Sequence, residues 1–551
     1  MNKSLRLICI SATLAFIAGA FSFPYLAPML SPAQVQSAAQ IMDLQMTAEE
    51  IDSLLPNLED NRKSFQALRE QSIPNDLSPA IQFTPIPSGF ELPTGAHQIE
   101  FSPLPPVQMP KDKAKLAFYT VRELAQLIRT GQISSVELTR FFLERLKKYD
   151  PTLHCVISLT EELAMAQAAK ADQEIAAGNY RGILHGIPYG AKDLLATKEY
   201  KTTWGAAPFK DQVLGYDATV VEKLEKAGAI LLAKLSMGAL AWGDVWFDGK
   251  TRNPWDPSTG SSGSSAGSAS AVAAGLLPFA IGTETLGSIV SPSTVCGTTG
   301  LRPTFGRVSK HGAMALSWSM DKIGPICRSA EDCAAVFAAI AGPDGKDLSL
   351  IKAPVRYARS LANPKMIRVG YHKSAFERRY PFKKQDSLVL EKLEALGYQL
   401  IPVELPDMPD IGMILSVEAA AAFDELTRSG KDDELVRQIR NAWPNVFRAA
   451  RFVPAVEYIQ ANRLRTQLKE DMTKVFEEVD LYVHPSWASS SLRITNYTGH
   501  PCVVVPNGFR EDGRPTSITF TGNLFDEGTI LALAAAFQQA TDWEDQHPNL
   551  D

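Results

Sequence analysis

Two runs of small residues, separated by one short helical stretch, limit what this chain can fold into. The first is "STGSSGSSAGSAS" at 258–270 and the second is "GTETLGSIVSPSTVCG" at 282–297. The first flows into "ASAVAAGLLPFAIG", which reads as a helix followed by a buried strand, a setting foreign to a flexible Gly-Ser linker. Hydroxyls this dense at a helix N-terminus suit a pocket wall where backbone N–H groups and side-chain oxygens converge on a ligand. In the second run Gly282 and Gly287 let the chain turn sharply ahead of Ser288. The Ser288 hydroxyl is then placed to attack a carbonyl, with the N–H groups of Leu286, Gly287 and Ser288 holding the developing oxyanion.

A serine needs a base. Lys192 lies in "HGIPYGAKDLL" (185–195), between Gly190-Ala191 and Leu194-Leu195. Most lysines are solvated surface residues, but these flanks are too apolar for an exposed loop. A buried lysine sheds its proton readily and can act as a base. Lowering its pKa from about 10.4 to about 8 takes about 3 kcal/mol of desolvation. Asp193 would oppose that shift, so its side chain is expected to point elsewhere.

The surrounding pattern predicts an α/β domain. Ser134 and Glu137 make a capping box for a helix that carries Leu138, Phe141, Phe142 and Leu146 on one face. An alanine-rich helix follows at about 160–177. Apolar runs at 229–233 and 276–282 then alternate with helical stretches. Upstream, residues 40–72 read as an amphipathic helical pair with a capping box at Thr47 and Glu50 and an interruption at Pro56. Nine prolines from Pro74 to Pro110 predict an irregular strap, apolar enough (Phe83, Ile86, Phe90, Phe101) to lie on the main domain.

Lysine and two serine loops together resemble the amidase signature family. The resemblance runs from "SSVELTRFFLERLKKYDPTLHCVISL" through "GIPYGAKDLL" to "SSGSSAGSASAVAAGLLPFAIGTETLGSIVSPSTVCGTTGLRPTFGRVSKHG". It resumes at "NYTGHPCVVVPNGF" and "FDEGTILALAAAFQQAT". It implies a large mixed, mostly buried β-sheet enclosed by helices over 115–545, and a Ser-Ser-Lys triad. Lys192 matches the family's base, Ser288 its nucleophile, and Ser264 the bridging serine held by a cis peptide bond. The N–H groups of Thr285, Leu286, Gly287 and Ser288 match its oxyanion hole. Implied is an amidase acting on a small-molecule or peptide amide, with no metal and no cofactor. Two departures put the substrate in doubt: Leu286 stands where the family usually has glycine, and Val290 where it often has arginine. The variant looks like the branch containing bacterial peptide amidases.

Three other readings compete. "GSSAG" (263–267) is a formal G-x-S-x-G, which would make Ser265 the nucleophile of an α/β-hydrolase-type esterase with His484 or His500 as base. The elbow requires a strand directly before it, and "RNPWDPSTGSS", with its two prolines, cannot supply one. A non-catalytic relative would not keep all three matched triad positions. A component of a tRNA-dependent amidotransferase fits poorly with a net charge of −6 and no Lys/Arg run, which also gives no reason to expect nucleic acid.

The N-terminus places the chain. Lys3 and Arg6 precede an apolar run, Leu7 to Ala18, and Ala18-Gly19-Ala20 fits a cleavage site. Residues 1–20 are thus expected to be a secretory signal, with an uncleaved anchor as the alternative. Residues 21–114 form the helical segment and strap. The protein would be exported, periplasmic or extracellular, with no stable membrane insertion once the signal is cut. Cleavage removes Cys9 and leaves five scattered cysteines, which make neither a disulfide framework nor a zinc pattern and read as buried thiols.

Overall fold

The computed structural model describes residues 30–550, so the signal-like segment at 1–20 lies outside the described residues. The chain divides into two units after Pro74. The first holds helices Pro32–Ile41 and Ala48–Arg69, each opened by a capping box, Ser31 with Gln34 and Thr47 with Glu50. The break between them falls before Thr47, not at Pro56, which the second helix passes through. Proline removes the N–H that would bond the Asp52 carbonyl, but Asp52 and Pro56 are exposed and solvent can take that carbonyl.

The second unit is built on a mixed sheet of eleven strands among the described residues. In chain order these are β1 (Val156–Leu159), β2 (Pro188–Lys192), β3 (Ile230–Leu235), β4 (Phe279–Glu284), β5 (Thr299–Arg302) and β6 (Lys322–Cys327). The remaining five are β7 (Val369–His372), β8 (Leu400–Val403), β9 (Leu481–Pro485), β10 (Cys502–Phe509) and β11 (Pro515–Gly522). Across the sheet they run β8-β7-β9-β11-β10-β5-β6-β4-β2-β3-β1. Helices including Ser135–Leu153, Glu161–Ala176, Ala266–Ala273, Ala330–Ile340 and Glu527–Gln539 enclose it. Strands β2, β3, β4 and β6 are buried throughout, which is why they read as continuous apolar runs and not as alternating ones.

Strand β2 lies between β3 and β4 and is parallel to both. Their carboxyl ends therefore emerge side by side, bringing Lys192 and Glu284 to one edge of the sheet. Open α/β sheets bind ligands outside the carboxyl ends of their strands. Both small-residue runs lead to this edge: the first enters helix Ala266–Ala273, and the second continues from β4.

Residues 75–110 lie against the sheet domain. Gln98–Glu100 pairs in parallel with Arg356–Ala358. Phe83 meets Phe305 edge-on at 5.1 Å, and Phe90 and Phe101 lie 6.0 and 5.6 Å from Phe525 and Tyr357. The five cysteines from Cys155 onward are buried and free.

Gly267, in the first turn of helix Ala266–Ala273, shows how closely this helix sits. A Cβ there would lie 2.3 Å from the Cys155 carbonyl oxygen and 2.6 Å from the Ser236 nitrogen, both backbone atoms. Gly267→Ala should therefore lower stability by about 1–3 kcal/mol, read as a lower thermal midpoint. An unchanged midpoint would show that the helix can lift without cost.

Candidate active site

Lys192 ends β2 and is fully buried. Its Nζ lies 2.7 Å from Ser264 Oγ, 2.9 Å from Thr283 Oγ1, 3.1 Å from Ser265 Oγ and 3.4 Å from the Thr283 carbonyl oxygen. Every one of these partners is an uncharged oxygen. Burial pushes Lys192 down to about 7, against the opposing pull of the Asp321 and Glu284 carboxylates. Desolvation wins because neither carboxylate touches the ammonium. Asp193 points elsewhere, as expected for a carboxylate that would oppose the shift of Lys192. It pairs with Lys234 at 3.1 Å and accepts from the Thr203 amide and hydroxyl at 2.8 and 2.5 Å.

The first serine run wraps this lysine. The Gly263–Ser264 peptide bond is cis, and a Cβ on Gly263 would sit 1.9 Å from the Gly243 carbonyl oxygen, so only glycine fits. Ser265 stands at the start of helix Ala266–Ala273 and is stapled to β4. Its Oγ lies 3.1 Å from both the Thr283 nitrogen and the Thr283 carbonyl oxygen, and its N–H donates to the Ser288 carbonyl at 3.1 Å. That bond joins the two serine runs. Ser288 is brought beside Ser264 and Ser265 through the backbone, while its own hydroxyl takes no hydrogen-bond partner among the described residues. A direct Ser264–Ser288 hydroxyl bond is not among the contacts formed.

The turn from 285 to 288 forms the nest. Among the described residues nothing accepts from the N–H groups of Leu286, Gly287 or Ser288. Gly287 takes φ of 89°, where a side chain would strain the backbone. Leu286 is not at positive φ, so its substitution for glycine needs no unusual backbone. Val290 packs in a small apolar cluster with Cys502, Val504 and Leu492, which accounts for the absence of an arginine there.

Buried charges clamp the nest from one side. Glu284 Oε2 accepts from the N–H groups of Ile289 and Val290 at 2.8 and 3.0 Å. Its Oε1 accepts from Arg302 Nη1 at 2.9 Å and Asn496 Nδ2 at 2.8 Å. Burial alone would raise this carboxyl, but Arg302, the Val290 N–H and Asn496 outweigh it and hold Glu284 at about 2. Sequence reasoning singled out neither Thr283, Glu284, Arg302, Asp321 nor Lys322. The available signal was the one used for Lys192, an ionisable residue among apolar neighbours, as in "MDKIGPI" (320–326).

The rival constellation does not assemble. The Ser265 hydroxyl is engaged on both sides. His484 bonds the Pro485 carbonyl and Thr521, each at 3.0 Å, and His500 bonds Thr498 at 2.7 Å. Burial pushes both imidazoles to about 3, and neither reaches a serine of the two runs. One expectation is corrected: a short strand, Asp256–Gly260, does precede the motif despite Pro257. It pairs only with Arg252–Asn253 in a separate ribbon, an edge position where proline is tolerated, and it does not feed the main sheet.

Comparison with known proteins bears on this geometry. A model of the Amidase family matches residues 137–496. The chain is similar to the A subunit of the glutamyl-tRNA(Gln) amidotransferase of Coxiella burnetii, 34% identical over 480 residues, covering 78% of this chain and 99% of that protein. Among solved structures, it is similar to the native peptide amidase of Stenotrophomonas maltophilia, with TM-score 0.70 and 28% identity over 78% of this chain and 98% of that one. An amidase family protein from Bacillus anthracis aligns with TM-score 0.71 and 27% identity, covering 79% and 93% of the two chains.

The Glu284–Arg302 pair is fully buried, so removing one partner strands the other. Arg302→Met should destabilise the fold by about 3–5 kcal/mol, and adding Glu284→Gln should recover part of the loss. Because the folded carboxyl is depressed, its contribution is present above about pH 4.5 and is lost as pH falls towards 2. Thermal midpoints of both variants at pH 7 and at pH 3 would check this. A single variant as stable as the wild type would contradict it.

Proposed function

The chain belongs to the Amidase family and is an amidase acting on the carbon–nitrogen bond of amides; on that premise, we propose that it is an exported serine amidohydrolase working through an acyl-enzyme on Ser288. The observation that carries the reading is the 2.7 Å contact between Lys192 Nζ and Ser264 Oγ, in a pocket that offers the lysine only uncharged oxygens. A lysine so placed is neutral for much of the time near pH 7 and has a lone pair to receive a proton.

In the proposed reaction, Ser288 Oγ attacks the amide carbonyl carbon as its proton passes to Ser264, whose own proton passes to Lys192. The Ser264–Ser288 link forms as substrate binds, since catalytic hydrogen bonds commonly tighten in the Michaelis complex. The N–H groups of Thr285, Leu286, Gly287 and Ser288 hold the oxyanion. Collapse breaks the C–N bond, and the proton returns through Ser264 to the leaving amine. Water then attacks the acyl-enzyme by the reverse path and releases the acid. Written this way, the chemistry calls on neither metal nor organic cofactor.

The substrate class is a linear or aryl amide. Similarity to a peptide amidase supports peptide C-terminal amides, with anilides, fatty amides and synthetic amide oligomers as the other arms of a hydrolysis screen. The similarity to a component of an amidotransferase supports a second reading, in which amide cleavage feeds a partner. Hydrolysis by the purified chain alone would support the first reading. Activity appearing only with partner proteins would support the second. Among the described residues, no helix is long and apolar enough to cross a membrane.

Two expected outcomes test this reading. Ser288→Ala should abolish labelling by a fluorophosphonate probe; a label that survives it or maps to Ser265 would restore the rival. In the wild type, kcat/KM should rise with pH through about 7, the range to which burial brings Lys192. Lys192→Ala should remove that limb and most of the rate, while His484→Gln and His500→Gln leave the limb in place. A limb lost with either histidine would make the lysine a bystander.

Export has its own test. N-terminal sequencing of the protein recovered outside the cytoplasm should begin near residue 21. An intact residue 1 in a membrane fraction would favour the anchor, and confinement to the cytoplasm would overturn export.

A further inference from the structure

A second clamp holds the nest from the side of β6. The register pairs Lys322 with Glu284, so Asp321 and Thr285 lie side by side just beyond the paired ends. Thr285 Oγ1 donates to Asp321 Oδ1 at 2.6 Å. Asp321 Oδ2 accepts from the N–H groups of Leu316 and Ser317 at 2.8 and 3.0 Å. Burial raises the Asp321 carboxyl above the usual carboxylate range, while these three donors and the nearby Lys322 pull the other way, towards the charged form. Lys322 Nζ reaches the Thr285 carbonyl at 3.5 Å and also donates to the Met320 carbonyl. The first residue of the nest is thus held by its hydroxyl and by its carbonyl.

The loop that supplies these contacts is itself braced. Ser317 Oγ and Ser319 Oγ each donate to Glu418 at 2.7 Å. Arg465 Nη1 and Nη2 reach Ser319 Oγ and the Ser319 carbonyl at 2.8 and 2.9 Å. Asp321 is therefore a fixed point against which Thr285 is located.

We infer that Asp321 is a positioning residue for the oxyanion loop: by holding Thr285 against β6, it sets where the N–H groups of residues 285–288 point, and it presents a negative charge towards the Lys192 pocket. This rests on the reading of Lys192, Ser264 and Ser288 as the catalytic set.

The charge has a sign that can be tested. The carboxylates acting on Lys192 are Asp321 and Glu284, and both favour its protonated form. Asp193, the next residue along the chain, is turned to Lys234. Glu284 is neutralised by Arg302, and Lys322 stands beside both Asp321 and Glu284 with Arg465 beyond it. Removing the Asp321 charge leaves Lys192 easier to deprotonate, so the rising limb of kcat/KM moves to lower pH.

Two substitutions separate the tether from the charge. Asp321→Asn drops the charge and keeps a hydrogen-bonding partner for Thr285, its amide oxygen taking the Leu316 and Ser317 N–H groups and its NH2 donating to Thr285 Oγ1: the limb should shift to lower pH. Thr285→Val breaks the tether and keeps the charge: kcat should fall about 10²-fold, with KM and the limb position little changed. Thr285→Ser, which keeps the hydroxyl, should restore most of that loss. Thermal midpoints taken alongside identify any variant that fails to fold, and the Thr285 pair decides the tether even if Asp321→Asn does not fold. A limb unmoved in a folded Asp321→Asn, or a wild-type kcat in Thr285→Val, would overturn the inference. Probe labelling of Ser288→Ala, run in parallel, separates the failures. If that variant still labels, the catalytic set is wrong; if it does not label and the two results above are null, only the role of Asp321 is wrong.

Discussion

A lysine buried against uncharged oxygens is the constraint on which the rest of this site depends. Moving Lys192 from 10.5 to about 7 corresponds to about 5 kcal/mol of disfavoured charging, which the fold must supply from its other contacts. The structure supplies the setting by placing the lysine at the end of a central parallel strand, with β3 and β4 on either side. It then fills the ammonium's hydrogen-bonding positions with Ser264, Ser265 and Thr283. Two of these hydroxyls come from the first serine-glycine run. That run must be small because it passes between Lys192 on one side and the Gly243 carbonyl on the other.

Three lysines are buried in this part of the sheet, and their partners distinguish them. Lys234 has the Asp193 carboxylate at 3.1 Å and is a structural ion pair. Lys322 donates to two backbone carbonyls and stands among Asp321, Glu284, Arg302 and Arg465. Lys192 alone of the three sits beside a serine hydroxyl at 2.7 Å, with no carboxylate in contact. Charge is kept near Lys192 but not in contact with it: Glu284 is engaged by Arg302 and by the N–H groups of Ile289 and Val290, and Asp321 by Thr285 and the 316–317 backbone. Desolvation can then dominate over attraction.

Much of this was legible in the sequence. The capping box at Ser134, the helix at 161–176, the buried strands β3 and β4, and the closeness of the two serine runs all follow from local pattern. Local pattern could not rank the lysines. "LLAKLS" around Lys234 and "MDKIGPI" around Lys322 have flanks as apolar as those that drew attention to Lys192, and resemblance to a family is what set its segment apart from theirs. Partners from distant strands decide the difference: Asp193 meets Lys234 across forty-odd residues of chain, and Arg302 meets Glu284 across β6. The helix through Pro56 was misjudged for a related reason. A proline's lost hydrogen bond matters little where the orphaned carbonyl faces solvent, and exposure is not written in the local sequence.

The central claim is that Lys192 is the group whose neutral form is available near neutral pH, and it can be observed without turnover. With ¹³C-labelled lysine, the Lys192 Cε resonance, assigned by its absence in Lys192→Met, can be followed across a pH titration of the folded protein. A midpoint near 7, well apart from the surface lysines near about 10.4, is what the structure predicts. A Lys192 resonance that stays in the charged position until the surface lysines titrate would contradict it.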